Sequence, residues 1–144
     1  MKNKIEIKLA QTTTQYLEAK ELILQYVAWL GIDLSFQNFD QEMEGLPQMY
    51  NHKDGGLFLA YINGETVGIA GLRKFSEQDA ELKRMYVQPD SRGLGIGQLL
   101  LSACMETAKK LNYESIKLDT ADFMKSAIKL YTDNGFVEIR AYRH

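Results

Sequence analysis

The amino-acid sequence predicts an α/β fold, a mixed and mostly antiparallel central sheet flanked by helices in the order β-α-α-β-β-β-α-β-α-β. Three observations predict it. Two long segments repeat apolar residues at helical spacing, and several short ones are apolar or alternate with period two. An Asn63-Gly64 hairpin signal sits mid-chain, whereas strands and helices alternate toward the C-terminus, so antiparallel pairing precedes helical crossovers.

Taken in order, "KIEIKLA" alternates apolar and polar residues and reads as a strand. Thr12 followed by Gln15 is a capping-box pattern, opening a helix to about Leu30 that Gly31 ends. Ala19, Leu22, Ile23, Tyr26, Val27 and Leu30 form its apolar stripe. A short helix near Phe39 to Gly45 and a loop through Pro47 follow. "GLFLAYINGETVGIAGLRKF" is two apolar runs around the Asn63-Gly64 turn, and "AELKRMYV" is a strand stopped by Pro89. Residues 92–111 form the second long helix, with Ile96, Leu99, Leu100, Ala103, Ala108 and Leu111 facing the core. "SIKLDT" is a strand, "MKSAIKLYTDNG" a helix closed by Gly135, and "FVEIRAY" a last strand.

The chain has 144 residues, enough for one domain spanning 1–144 with its own core. Hydrophobic residues are 45%, charged residues 25% and the net charge −2, values that point to neither a nucleic acid nor a membrane as partner. No apolar run approaches the roughly 20 residues of a membrane span, and the N-terminus does not resemble a signal peptide, so a cytoplasmic location is expected. Cys104 alone cannot form an internal disulfide and reads as a buried small hydrophobe. His52 and His144 lack metal-ligand spacing with other donors, so no metal site is expected.

"SRGLGIGQLL" asks for a chemical reason, because three glycines precede and enter a helix. A helix N-terminus presents unpaired N–H groups and the positive end of its dipole, which suits phosphate. Gly93, Gly95 and Gly97 would let a diphosphate lie against the backbone, and Arg92 adds a guanidinium. A P-loop is excluded because Gln98 and Leu99 follow Gly97, and neither Gly93 nor Gly95 starts a Rossmann fingerprint. A tight strand-to-helix turn without a ligand is the competing account.

"ELKRMYVQPDSRGLGIGQLL" resembles the signature of the GNAT superfamily, the Gcn5-related N-acetyltransferases, whose Gln/Arg-x-x-Gly-x-Gly/Ala pattern is met by Arg92, Gly95 and Gly97. "AIKLYTDNGFVEI" resembles the family's second signature through Ala127, Tyr131, Gly135 and Phe136. The resemblance covers residues 55–140, with the first 54 fitting as a variable N-terminal part. Two departures stand out. Met124 replaces an asparagine that many members carry, and the chain ends at His144, after the sixth strand. The family's seventh strand is therefore expected to be missing or supplied by a partner subunit in a homodimer.

The resemblance implies acetyl-CoA as cosubstrate, lying in a splay between the strands at 81–88 and 115–120. Backbone groups of Met85 and Val87, with Tyr86 between them, would pair with the pantetheine arm. Amides of Gly93, Leu94, Gly95, Ile96, Gly97 and Gln98 would hold the pyrophosphate together with Arg92, and Ser126 is a further contact. Tyr131 would protonate the leaving thiolate, its alternative being an aromatic filling space between helix and sheet. Glu81 is the candidate base through water, its alternatives a solvated charge or a partner for Lys83 or Arg73.

The expected reaction is acetyl transfer to a primary amine, of a small molecule rather than of a protein. The rival is a catalytically silent CoA-binding module, and transfer of longer acyl groups stays open. Trp29, Phe36, Phe39, Met49 and Tyr50 either wall a substrate pocket or pack the core. Arg73 either binds a substrate carboxylate or is a surface charge.

Overall fold

The computed structural model describes residues 4–31, 39–119 and 125–139. Strand β1 (Ile5–Leu9) leads through helix α1 (Thr13–Leu30), α2 (Phe39–Glu44) and the single turn α3 (Leu46–Met49) into β2 (Gly56–Ile62), β3 (Glu65–Lys74) and β4 (Asp79–Val87). Helix α4 (Ile96–Lys110), β5 (Ser115–Lys117) and α5 (Lys125–Asp133) follow. The five strands lie in sequence order, β1 to β4 antiparallel and β5 parallel to β4.

Local chemistry sets most boundaries. Thr12 accepts the Gln15 N–H at 3.1 Å while the Gln15 side chain accepts the Thr12 N–H at 3.0 Å, the reciprocal cap read from the sequence. Such a cap contributes about 1 kcal/mol. The β2–β3 turn has φ 51° at Asn63 and 86° at Gly64, the left-handed pair whose twist matches the flanking strands.

Period-two alternation divides the sheet between two cores. Leu57, Leu59 and Tyr61 of β2 join Ala19, Leu22, Ile23 and Val27 of α1 on one face. Phe58 and Ala60 join Leu100, Leu101, Cys104 and Ala108 of α4 on the other. Each fully buried leucine on these faces contributes roughly 1.5–3 kcal/mol.

Several boundaries differ from expectation. The second long helix starts at Ile96 rather than 92, because Pro89–Ser91 form a 3-10 turn and Gly95, at φ 80°, caps the helix. Leu99 is 43% exposed, and the buried row is Ile96, Leu100, Leu101, Cys104 and Ala108. That row follows i, i+4 spacing, and Leu99 falls well away from its centre. The expected loop through Pro47 contains α3, with Pro47 in the first turn where its missing N–H costs nothing. The strand expected over 115–120 pairs only through Lys117. Residues 136–139 of the expected last strand carry no strand, while 140–142, like Phe36, Met124 and His144, lie outside the described residues.

Candidate active site

The parallel pairing of β4 with β5 lasts three residues, ending at Glu81 opposite Lys117. Residues 82–87 continue along β3 but meet no strand on their other edge among the described residues. Among the described residues, the C-terminal half of β4 thus leaves one edge of main-chain donors and acceptors without a strand partner.

A bulge accompanies that edge. The β3–β4 register slips between Ile69 and Gly71, and opposite this slip Arg84 has φ 60°. A non-glycine residue there costs about 1 kcal/mol, so something must hold it. Glu42 of α2 accepts from Arg84 Nε at 2.9 Å and from Nη2 at 2.6 Å, with both side chains almost fully buried. The Tyr50 hydroxyl donates to the same carboxylate at 3.4 Å. Tyr50 lies on Gly71, where an added Cβ would come within 2.5 Å of its ring. Tyr50 is fully buried, so of the two readings offered for it, core packing holds. Residues 42 and 84 share no motif, and the sequence carried no signal of this pair.

Beyond β4 the glycines serve two purposes. Gly93 and Gly95 have φ of 83° and 80° and open space where a side chain would stand. Gly97 is helical, and a Cβ there would sit 3.3 Å from Leu130 Cδ2, so its missing side chain lets α4 approach α5. That corrects the expectation that all three clear space for a ligand. The N–H groups of residues 93–98 have no hydrogen-bond acceptor among the described residues, the first helical bond being Leu99 N–H to Gly95 at 3.2 Å. Six consecutive donors at the positive end of α4 thus have no acceptor among the described residues.

Side chains nearby are committed elsewhere. Arg92 Nε donates to the Val87 carbonyl at 2.9 Å, and its guanidinium lies 5.1 Å from the Trp29 ring centroid and 5.9 Å from that of Tyr86. Trp29 and Tyr86 belong to one aromatic cluster with Tyr26. The Gln98 and Asn134 amides exchange bonds of 3.0 and 2.8 Å, tying the start of α4 to the end of α5. Met85 and Val87 pack toward the α4 core, Leu94 is exposed, Ile96 is buried, and Ser126 is exposed in the first turn of α5.

Tyr131 packs edgewise on Phe136, ring centroids 5.7 Å apart, and is 6% exposed. Its hydroxyl makes no hydrogen bond among the described residues, yet no buried side-chain oxygen or nitrogen lacks a partner, so the oxygen reaches the surface. Burial, then the nearby Tyr26 and Cys104 groups, push its pKa well above the tyrosine range. Glu81 is 3% exposed on β4, cross-strand from Arg73 and beside Lys117. An open depression of about 450 Å³ adjoins Arg73, lined by Gln48 and Met49 among others. The Phe39 side chain lies outside the described residues. Among the described residues no cluster of His, Cys, Asp and Glu is arranged to hold a metal ion, and no helix is long and apolar enough to cross a membrane.

The sequence and fold are similar to those of known proteins. Residues 23–136 match the Acetyltransferase (GNAT) family. An uncharacterized N-acetyltransferase of Schizosaccharomyces pombe is 34% identical over 140 residues, covering 96% of this chain and 84% of its own. A GNAT-family acetyltransferase from Staphylococcus aureus Mu50 superposes with a TM-score of 0.81 at 31% identity, over 94% of this chain and 85% of that one. A Clostridium acetobutylicum protein solved with acetyl-CoA, described as a predicted acetyltransferase, shares the fold, with a TM-score of 0.79, 15% identity, and coverage of 98% and 95%. The chain belongs to the GNAT family and so to the acetyl-CoA-dependent acyltransferases.

Proposed function

We propose that this protein moves the acetyl group of acetyl-CoA to a primary amine of a small molecule by direct attack, with Tyr131 as general acid and Glu81 as general base. The observation that carries the reading is the edge of residues 82–87 of β4 together with the six N–H groups of residues 93–98, which have no acceptor among the described residues. The pantetheine arm adds along Met85 to Val87 as an extra strand would. The pyrophosphate meets the amides of Gly93, Leu94, Gly95, Ile96, Gly97 and Gln98, where two positive φ angles keep the surface bare. Ser126 and Arg92 lie at the margin of that site, and Arg92 acts chiefly by holding the loop on Trp29 and Val87.

Glu81 takes the proton of the attacking amine through water, and the amine nitrogen bonds to the thioester carbon. N–H groups on the free edge of β4 stabilise the oxyanion. The C–S bond then breaks and Tyr131 donates its proton to the thiolate. Burial makes Tyr131 a weak acid, and it also raises the proton affinity of a thiolate beside it, as it does for the neighbouring Cys104 thiol. A volume of about 450 Å³ beside Arg73 is in the range of small-molecule pockets.

The test is release of free CoA thiol from acetyl-CoA across a panel of amines. Tyr131→Phe is expected to lower kcat about 100-fold or more with little change in the KM for acetyl-CoA. Tyr131 must stay protonated to act, and its pKa lies above the ordinary 10.0, so kcat has no alkaline limb below that pH that Tyr131→Phe removes. No turnover on the whole panel, with the variant indistinguishable from wild type, would make the protein a silent CoA-binding module.

A further inference from the structure

Three cations stand together on the α1 face of the sheet. Arg84 is buried and neutralised by Glu42. Arg73 and Lys83 are only partly buried, and neither has a hydrogen bond or ion pair among the described residues. Their placement follows from register. Arg73 is directly cross-strand from Glu81, and Lys83 from Gly71, so all three side chains leave the same face. Gly71 has no side chain, and the Tyr50 ring covers it. Cross-strand neighbours lie roughly 5 Å apart and diagonal ones roughly 7–8 Å, so both cations fall within one small molecule's length of Glu81.

Partly buried charges are ordinarily paired, and here only the deepest of the three is. We infer that Arg73 and Lys83 form the anion-binding half of the acceptor site and that the acceptor amine also carries a carboxylate. The inference rests on Glu81 marking where the amine is deprotonated. Arg73 offers a planar fork suited to a carboxylate, and Lys83 a point charge beside it. Burial first, then Arg84 and Arg73, lower the Lys83 pKa against Glu42 and Asp119, so an anion arriving there relieves the cation–cation part of that effect. An open depression of about 450 Å³ adjoins Arg73, with Lys74 and Asp54 also in its wall.

The experiment compares α-, β- and γ-amino carboxylates with their primary amides, reading CoA thiol release with purified protein. The amide loses its ammonium proton more readily than the parent acid, so amine reactivity alone favours the amide. The expected result is that at least one acid exceeds its amide about tenfold in kcat/KM. Arg73→Gln and Lys83→Gln should each raise the KM for that acid about tenfold, leave the KM for acetyl-CoA in place and abolish the preference. Arg73→Lys should keep part of it. Neither side chain has a hydrogen bond or ion pair among the described residues, so thermal melting should confirm that the variants fold. Amides accepted as well as acids, or variants that slow both alike, would overturn the carboxylate site while leaving acetyl transfer intact. Turnover of no amine in either series would overturn both readings.

Discussion

The two halves of β4 are built from one strand and behave as different materials. Residues 79–81 are paired on both edges, and Ala80 and Leu82 bury their side chains in the α4 core. Residues 83–87 are paired on one edge among the described residues, buckle at Arg84, and are anchored by a charged residue 42 positions before Arg84. Both halves bury apolar side chains, Tyr86 in the second among them, but only the second carries a buried ion pair. The proposed acetyl-donor site uses that difference, since it runs along main-chain groups of the second half that meet no second strand among the described residues.

Breaking each half should therefore give different symptoms. Glu42→Ala leaves Arg84 buried without its partner and should cost about 3–5 kcal/mol by urea unfolding. It should also raise the KM for acetyl-CoA, since the bulge loses its anchor. Leu82→Ala removes apolar burial at the boundary, one residue past the doubly paired half, and should cost about 2–5 kcal/mol. Its KM for acetyl-CoA should stay near wild type in the folded fraction. Equal effects of the two variants on that KM would erase the distinction between the halves.

The contrast also explains what the sequence made legible. Hairpin, capping box and glycine loop are local, each decided within a few residues by backbone sterics or hydrogen bonding, and each stands where expected. Gly135 is legible as the end of its helix, whereas Tyr131 stands out only through the resemblance of "AIKLYTDNGFVEI" to the family's second signature. Glu42–Arg84 was not legible, because a long-range pair leaves no periodicity, and an arginine at φ 60° leaves no glycine or proline as a mark. Leu99 was misplaced because counting apolar residues in α4 does not reveal which edge of a broad stripe meets the sheet. Arg92 was read as a phosphate ligand from its charge, while its aromatic seat on Trp29 depends on packing across α1.

The glycine loop extends the second half of β4, and substitutions there sharpen the comparison at smaller amplitude. Gly95→Ala must adopt φ near 80°, which costs an alanine roughly 1–2 kcal/mol, and it places a methyl group where the structure leaves open space. Loss of stability should be modest, but the KM for acetyl-CoA should rise several-fold.

Gly97→Ala is the finest test, because the same substitution two residues on meets different surroundings. Alanine in the helix interior gains about 0.5–1 kcal/mol over glycine from backbone entropy alone. Against that, the new methyl group would sit 3.3 Å from Leu130 Cδ2, tighter than ordinary contact by a few tenths of an ångström. Leu130 is partly buried and can rotate its terminal methyl, so the two terms should nearly cancel, leaving a thermal midpoint close to wild type. Because the methyl faces α5 rather than the loop amides, the KM for acetyl-CoA should also stay within about twofold. A KM increase as large as that of Gly95→Ala would place Gly97 with the ligand-facing glycines after all, and the division of labour between loop and helix packing would fall.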